Sequence, residues 1–441
     1  MKTKVKKRLL LFAWLMWGTA MLPQFLNFFH RIAGTTIADR LMADFNITAT
    51  TVGTLMAVLF YVYGAMQFPA GALTDSLGPR RTLTIGSIIA GIGAITFGLA
   101  PTLSVLFIGR ILISLGISVS FVSVLKTATV WFSSRAFGFM TALFQILSQV
   151  GGIVATTPLA LLVIAVGWQI SYQLVGLISL VIAAICWLVI RNHPNEVELP
   201  SPAELERQQA GTPAPSPLTP GFTLSQRMKM VLGNRYTWAS FMVGAGIYGT
   251  FFTFTGAWGV PYMMQVYDMI RSTAASFMLL INLGVICGSL VIAYVTNTVL
   301  QRRKLPGIVS TAGYLLTWLL LTFLNPGNLS PQILGAICFS LGFFAGYLGQ
   351  NLACAKEVNH PSASGITLGV VNMGPFLFTG VLQPLFGRIL DLGWQGAFLS
   401  GARAYPVEVF HAGFLLISGG AAIAAIGAWF LKETRCRNLI T

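Results

Sequence analysis

The sequence predicts an all-α membrane protein, with twelve transmembrane helices in two pseudo-symmetric six-helix bundles. Three observations carry this expectation. Apolar runs of about twenty residues, the length that crosses a bilayer as a helix, recur along almost the whole 441-residue chain. Charged residues make up 9% of it and the mean hydropathy is +0.76, whereas soluble domains carry about a quarter charged residues. The basic residues, finally, are concentrated in alternate loops.

The runs read as spans at 9–33, 50–73, 82–100, 103–127, 137–165, 169–190, 236–260, 272–298, 306–324, 331–355, 365–390 and 408–431. All should be helical, because unpaired strand edges are not tolerated in lipid. With these spans, one set of loops holds 21 of the 27 Lys and Arg. The other set holds Arg31, Arg40, Arg271, Arg388 and Arg403, and Arg110 lies inside a span. This asymmetry places both termini in the cytoplasm and the chain in the plasma (bacterial inner) membrane. The net charge of +15 is therefore topological, and no nucleic-acid partner is expected. The first run follows Lys2, Lys4, Lys6, Lys7 and Arg8 and continues past Phe25, longer than a signal core, so it reads as an uncleaved helix.

One long polar segment, 191–232, holds seven prolines and four glutamates. Such composition builds no core and reads as a cytoplasmic linker. Its end, from Thr223 to Leu232, has the pattern of an amphipathic helix. The linker divides the chain into an N-terminal half, 1–190, and a C-terminal half, 233–441. The five cysteines form no C-x-x-C pair and are expected as thiols packed as small hydrophobes. Asn46 and Asn328 begin glycosylation sequons.

The most specific motif is GALTDSLGPRR, Gly71 to Arg81, between the second and third spans. It resembles the loop signature of the major facilitator superfamily: glycine, a small residue, leucine, aspartate, glycine, then two basic residues. Gly71 and Gly78 allow a sharp turn, and Asp75 can cap a helix or pair with an arginine. Gly71, Asp75, Gly78, Arg80 and Arg81 are thus expected as a conformational latch. A degraded counterpart ends in Arg302, Arg303 and Lys304; with the basic pairs aligned, Asn297 takes the place of Asp75. Lys126, Lys356 and Glu357 end their spans and read as inner-gate contacts or snorkelling side chains. The resemblance covers the whole chain. It implies a secondary transporter, a permease of bacterial type, with parallel half-repeats and a midplane substrate site.

Intramembrane polar residues mark such a site, since they are costly anywhere else. Gln24, Asn27 and Arg31 share one helical stripe, with His30 adjacent. Arg110 and Ser114 share a face of the fourth span, and Gln145 and Gln149 one of the fifth. Tyr248, Asn282, Tyr347, Asn351 and Asn372 add candidates in the second half. His30 and Arg31 also read as the residues that end the first helix at the outer interface. Arg110 reads as a structural anchor or as a grip for carboxylate or phosphate. The run from Gly151 to Pro158 partly matches an antiporter motif but reads better as close packing.

No acidic residue lies deep in a span, which favours an anionic or zwitterionic solute: an organic acid, sugar acid or phosphate, amino acid or short peptide. His30 is the best titratable candidate for a co-transported proton. A drug exporter of the same fold and a transporter-like membrane solute sensor are the alternatives. No nucleotide loop, metal cluster or nucleophile–base pair is visible, so neither enzyme activity nor a cofactor or metal is expected. The expected partners are a small-molecule substrate and the lipid bilayer, with the chain a monomer. Reporter fusions within 200–220 and after Thr441 should both report cytoplasm. A periplasmic signal at either point would remove the six-plus-six scheme.

Overall fold

The computed structural model describes residues 2–132, 137–202, 204, 224–324, 329–360, 363–399 and 402–439. The side chains of Asp75 and Gln145, residues 203 and 205–223 of the linker and the sequon at Asn328 lie outside the described residues. Ten described helical stretches are long and apolar enough to cross a membrane. One of them, Ile146–Val189, holds two crossings. Its backbone turns at Gly167, where φ is 83 and ψ 161, a region open to glycine and strained for other residues. Another crossing is absent from the ten because its composition is rich in glycine, threonine and aromatic residues. It runs through Arg235–Thr253, a π-helical turn at Phe254–Trp258, and Gly259–Val266. Twelve helical crossings result, so the chain is a multi-pass integral membrane protein.

The first helix departs from its expected limits. It runs unbroken over Lys2–Phe45, a length of 44 residues. The polar stretch Gly34-Thr35-Thr36 suggests an exit from lipid, but protein partners take the place of water there. The Thr36 hydroxyl donates to the Ala155 carbonyl at 3.0 Å, and Thr35 accepts the Val260 amide at 3.0 Å. His30 and Arg31 therefore do not end the helix; they lie inside it, 0% and 5% exposed.

Packing divides the chain into two compact units. The first comprises Met1–His30, Ala65–Gly151 and Gln169–Gly221. Here Ala49–Gly98 breaks at Gly78, φ 78, and a Cβ on Gly78 would fall 2.6 Å from the Asn192 side chain. Asn192 in turn accepts the Arg80 amide at 2.9 Å. The motif loop is thus fastened to the end of the sixth crossing. Gly151 packs against the Phe25 carbonyl so closely that any side chain would strike it, in keeping with a packing role for that run.

The second unit comprises Arg31–Gly64, Gly152–Trp168 and Phe222–Thr441. It contains the amphipathic segment as a helix, Leu224–Gly233, and a short hairpin that the sequence did not suggest. The hairpin pairs Phe398 with Arg403 and Leu399 with Ala402. Its tightest seam joins Arg271–Tyr294 to Pro331–Ala345. Gly288 faces the Phe343 carbonyl and Gly342 the Ile281 carbonyl, the close backbone approach that small residues permit between membrane helices. Gly342→Ala should overpack this seam and cost about 1–3 kcal/mol, read as a lower thermal midpoint of the purified protein. Gly365→Ala, which meets open space, should leave the midpoint unchanged.

Candidate functional site

The described candidates fall into two groups, one in each unit. In the first unit the polar stripe of the first helix is cross-linked. Asn27 donates to Gln24 at 3.2 Å and to the Ser120 hydroxyl at 2.9 Å. Ser120 donates to the Gln24 side-chain oxygen at 2.8 Å, and Gln24 donates to Ser148 at 3.3 Å. Ser120 and Ser148 were not singled out by the sequence. Ser148 is one position from Gln149, and helical phase alone does not decide which of two adjacent residues faces inward. Gln149 is buried, and its side-chain oxygen has no partner among the described residues.

Arg110 lies in the same unit and is completely buried. One guanidinium nitrogen donates to the His30 carbonyl at 3.3 Å, and the Ser114 hydroxyl donates to the Arg110 carbonyl at 2.6 Å. The Arg110 Nε and Nη2 atoms and both His30 ring nitrogens have no partner among the described residues. The His30 ring packs against Phe29 and Tyr172, with centroids at 5.4 and 6.2 Å. Polar groups buried without partners are costly.

In the second unit Arg31 sits among rings. Its guanidinium carbon is 4.5 Å from the Tyr63 centroid, 4.9 Å from Phe376 and 5.6 Å from Phe252. Tyr63 also hydrogen-bonds it, and Tyr248 lies within electrostatic reach. Cation–π contacts of this kind strengthen when desolvated. The sequence placed Arg31 and Tyr248 on polar stripes but passed over Tyr63, Phe252 and Phe376. Aromatic residues in membrane spans carry no mark that separates a cation's neighbour from a lipid-facing ring.

The other second-half candidates have structural partners. Asn282 donates to the Met278 carbonyl and Asn351 to the Ser240 carbonyl, both at 2.9 Å. Asn372 is half-buried. Tyr347 belongs elsewhere: its hydroxyl donates to the Arg303 carbonyl at 2.8 Å. Arg303 binds Glu357 at 2.7 Å and Asn297 at 2.7 Å, and also Gln350. Burial alone would lower the Arg303 guanidinium, and the Glu357 carboxylate more than reverses that. Glu357 thus takes part in a charge cluster within this unit. Lys356 is exposed and Lys126 half-buried. In the motif loop, Arg80 stacks on Trp187 at 4.4 Å and donates to its carbonyl at 2.8 Å. Arg81 is exposed, and a Cβ on Gly71 would meet open space. The latch role of Asp75 rests on a side chain outside the described residues.

Toward the Phe45 end of the first helix, the second unit is tied shut. Arg271 forms a two-pronged ion pair with Asp39, one contact at 2.7 Å, and also reaches the Thr36 carbonyl. Asp391 accepts the Ala49 and Thr50 amides at 3.1 and 2.7 Å, capping the second helix from the end of the eleventh crossing. Tyr405 and Arg403 hold the same carboxylate at 3.1 and 3.4 Å. Nearby, any side chain on Gly53 would strike the Gln383 carbonyl, and any on Gly387 the Ala49 carbonyl.

The family model of the Major Facilitator Superfamily matches residues 16–378. The chain belongs to this superfamily. Among its relatives is the membrane sensor protein UhpC of Escherichia coli, 25% identical over 401 residues, covering 86% of this chain and 87% of that protein. The galacturonate transporter of Dickeya chrysanthemi is 25% identical over 342 residues, covering 74% and 94%. Among solved structures, a bacterial homologue of the human lysosomal transporter Spinster, inward-facing and unoccupied, superimposes with a TM-score of 0.71. Its sequence is 16% identical, and the match covers 95% of this chain and 98% of that one. The chain is thus a superfamily member of transporter fold, from a family of transporters and not of enzymes.

Removing one side of a buried ion pair costs about 3–5 kcal/mol, so Arg271→Ala should loosen the tied end. In a cysteine-free background with Thr35→Cys, Arg271→Ala should speed labelling by a membrane-impermeant thiol reagent severalfold. An unchanged rate would remove Arg271 from the closure.

Proposed function

We propose that this protein is a secondary transporter that moves a small organic anion by alternating access. Its cargo class is sugar acids, other organic acids and sugar phosphates, with zwitterions such as amino acids at its edge. The observation that carries the reading is Arg31: a guanidinium buried mid-helix, backed by the faces of Tyr63, Phe252 and Phe376. A planar guanidinium in a dry setting grips a carboxylate or phosphate with two bonds. Arg110 supplies a second buried positive charge. Of the acidic groups in the described spans, Asp39 is spent on Arg271, Asp391 on a helix cap, Glu357 on Arg303 and Asp44 on the Trp168 indole, and Glu408 is exposed. The likeness to a galacturonate transporter supports the same class, since galacturonate is a carboxylate.

The cycle is rocking of the 1–190 half against the 233–441 half, with the 191–232 linker slack between them. The Asp39–Arg271 pair and the Asp391 cap break and re-form in each turn. His30, a buried imidazole with both nitrogens unpartnered among the described residues, is the candidate carrier of a coupled proton. A second reading is favoured by one finding, the likeness to a membrane sensor protein across 86% of the chain. In that reading the same cationic site binds an anion and the motion signals to a partner.

Counterflow in proteoliposomes separates the two. Preloaded hexuronates, aldonates or hexose phosphates should drive uptake of their labelled forms. Binding without counterflow would favour the sensor, and a cationic cargo would overturn the anion reading. Arg31→Lys should weaken anion binding more than tenfold, since each charge-assisted hydrogen bond is worth about 1.5–3 kcal/mol. Arg110→Ala, checked for folding, should do likewise if its unpartnered nitrogens also reach the cargo.

A further inference from the structure

At the end of the second unit away from the Asp39–Arg271 pair, two cations gather on one aromatic ring and a third, Lys304, lies beside them, its amide held by Glu433 next to Lys432. Arg235 and Tyr236 open the seventh crossing, Lys304 opens the ninth, and Lys432 follows the last residues of the twelfth. The Arg235 guanidinium lies 5.0 Å from the Tyr236 centroid and donates to its hydroxyl at 3.0 Å. The Lys432 ammonium stands 5.2 Å from the same centroid, and Lys304 is within electrostatic reach of it. Like charges repel, so such a gathering on a surface asks for an anion.

No ion pair among the described residues involves Arg235, Lys304 or Lys432. The nearest carboxylate in sequence, Glu433, is turned away. It accepts the Arg303 and Lys304 amides at 2.9 and 3.2 Å, and that of Arg435 at 3.0 Å. Burial alone would raise Glu433, and those amides hold it below the usual carboxylate range instead. It is therefore committed to capping the ninth helix and does not neutralise the cluster.

The surroundings say which anion. On the same packed helices, apolar side chains stand exposed beside the charges: Leu305 next to Lys304, and Trp429 one turn before Lys432. A cationic patch at the end of a crossing, beside exposed apolar side chains, matches a phosphate headgroup with acyl chains below it. We propose that Arg235, Lys304 and Lys432, with the Tyr236 hydroxyl, form a binding site for the headgroup of an anionic glycerophospholipid. The amphipathic helix Leu224–Gly233 precedes Tyr236 directly and leaves Met228 and Leu232 exposed, so it rests on the same bilayer surface.

Native mass spectrometry of the delipidated full-length protein tests this. Phosphatidylglycerol should bind in preference to phosphatidylcholine with the same acyl chains. Each removed charge should weaken phosphatidylglycerol about fivefold, and the Arg235→Gln/Lys304→Gln/Lys432→Gln variant on the order of a hundredfold. Arg227→Gln/Lys229→Gln, on the amphipathic helix, should keep the wild-type preference. If the triple variant fails to fold, Lys432→Gln alone should still show its fivefold loss. Equal retention of phosphatidylcholine, or an unchanged preference in the variants, overturns the proposal. So does displacement of bound phosphatidylglycerol by millimolar inorganic phosphate, which would make the patch a site for a soluble anion.

Discussion

A guanidinium inside a membrane protein must find its hydrogen bonds and its countercharge within the protein, because the bilayer supplies neither. Four buried arginines meet this demand in different ways. Arg271 takes a carboxylate, Asp39, and Arg303 takes Glu357 with two neighbouring side-chain oxygens. Arg110 takes a backbone carbonyl and leaves nitrogens unpartnered among the described residues. Arg31 takes aromatic faces and a tyrosine. In the first two arrangements a carboxylate neutralises the charge; in the last two the described contacts are a backbone carbonyl and aromatic rings.

The same accounting explains the tied end of the second unit. Asp391 serves as a helix cap from an element more than three hundred residues away in sequence. Capping usually comes from the residue just before a helix. A cap supplied by a distant crossing can be withdrawn when that crossing moves, and the helix start is then left to water. Asp39 and Arg271 have the same character. Local helix formation in this unit is thus coupled to contacts between distant crossings through these few carboxylates.

Much of this was legible in the sequence, and the limits have physical reasons. Span length, the basic-residue alternation and GALTDSLGPRR sufficed for the fold, because bilayer thickness imposes a regular pattern. Gln24, Asn27 and Arg110 could be recognised because polar groups in lipid have few reasons to exist. The reading of His30 and Arg31 as the end of the first helix failed because the helix runs on to Phe45, with Thr35 and Thr36 held by Val260 and Ala155, partners that are invisible locally. Tyr63, Phe252 and Phe376 escaped notice because a ring behind a cation and a ring against lipid have the same composition. The bond from the Tyr347 hydroxyl to the Arg303 carbonyl joins the tenth crossing to the start of the ninth, a contact that spacing does not reveal.

The π-helical turn at Phe254–Trp258 has a mechanical consequence. It lies where Gly256 passes under the Arg31 carbonyl, which a Cβ would meet at 2.8 Å. At its last residue the Trp258 indole donates to the Gln383 carbonyl at 3.2 Å, and just beyond it the Val260 amide donates to Thr35 at 3.0 Å. A π-turn carries one surplus residue relative to an α-helix. Rewinding it would advance everything after it by about 1.5 Å and rotate it by about 100°. Both outward bonds would then disengage together. A change of winding beside Arg31 would thus reach the first and eleventh crossings together.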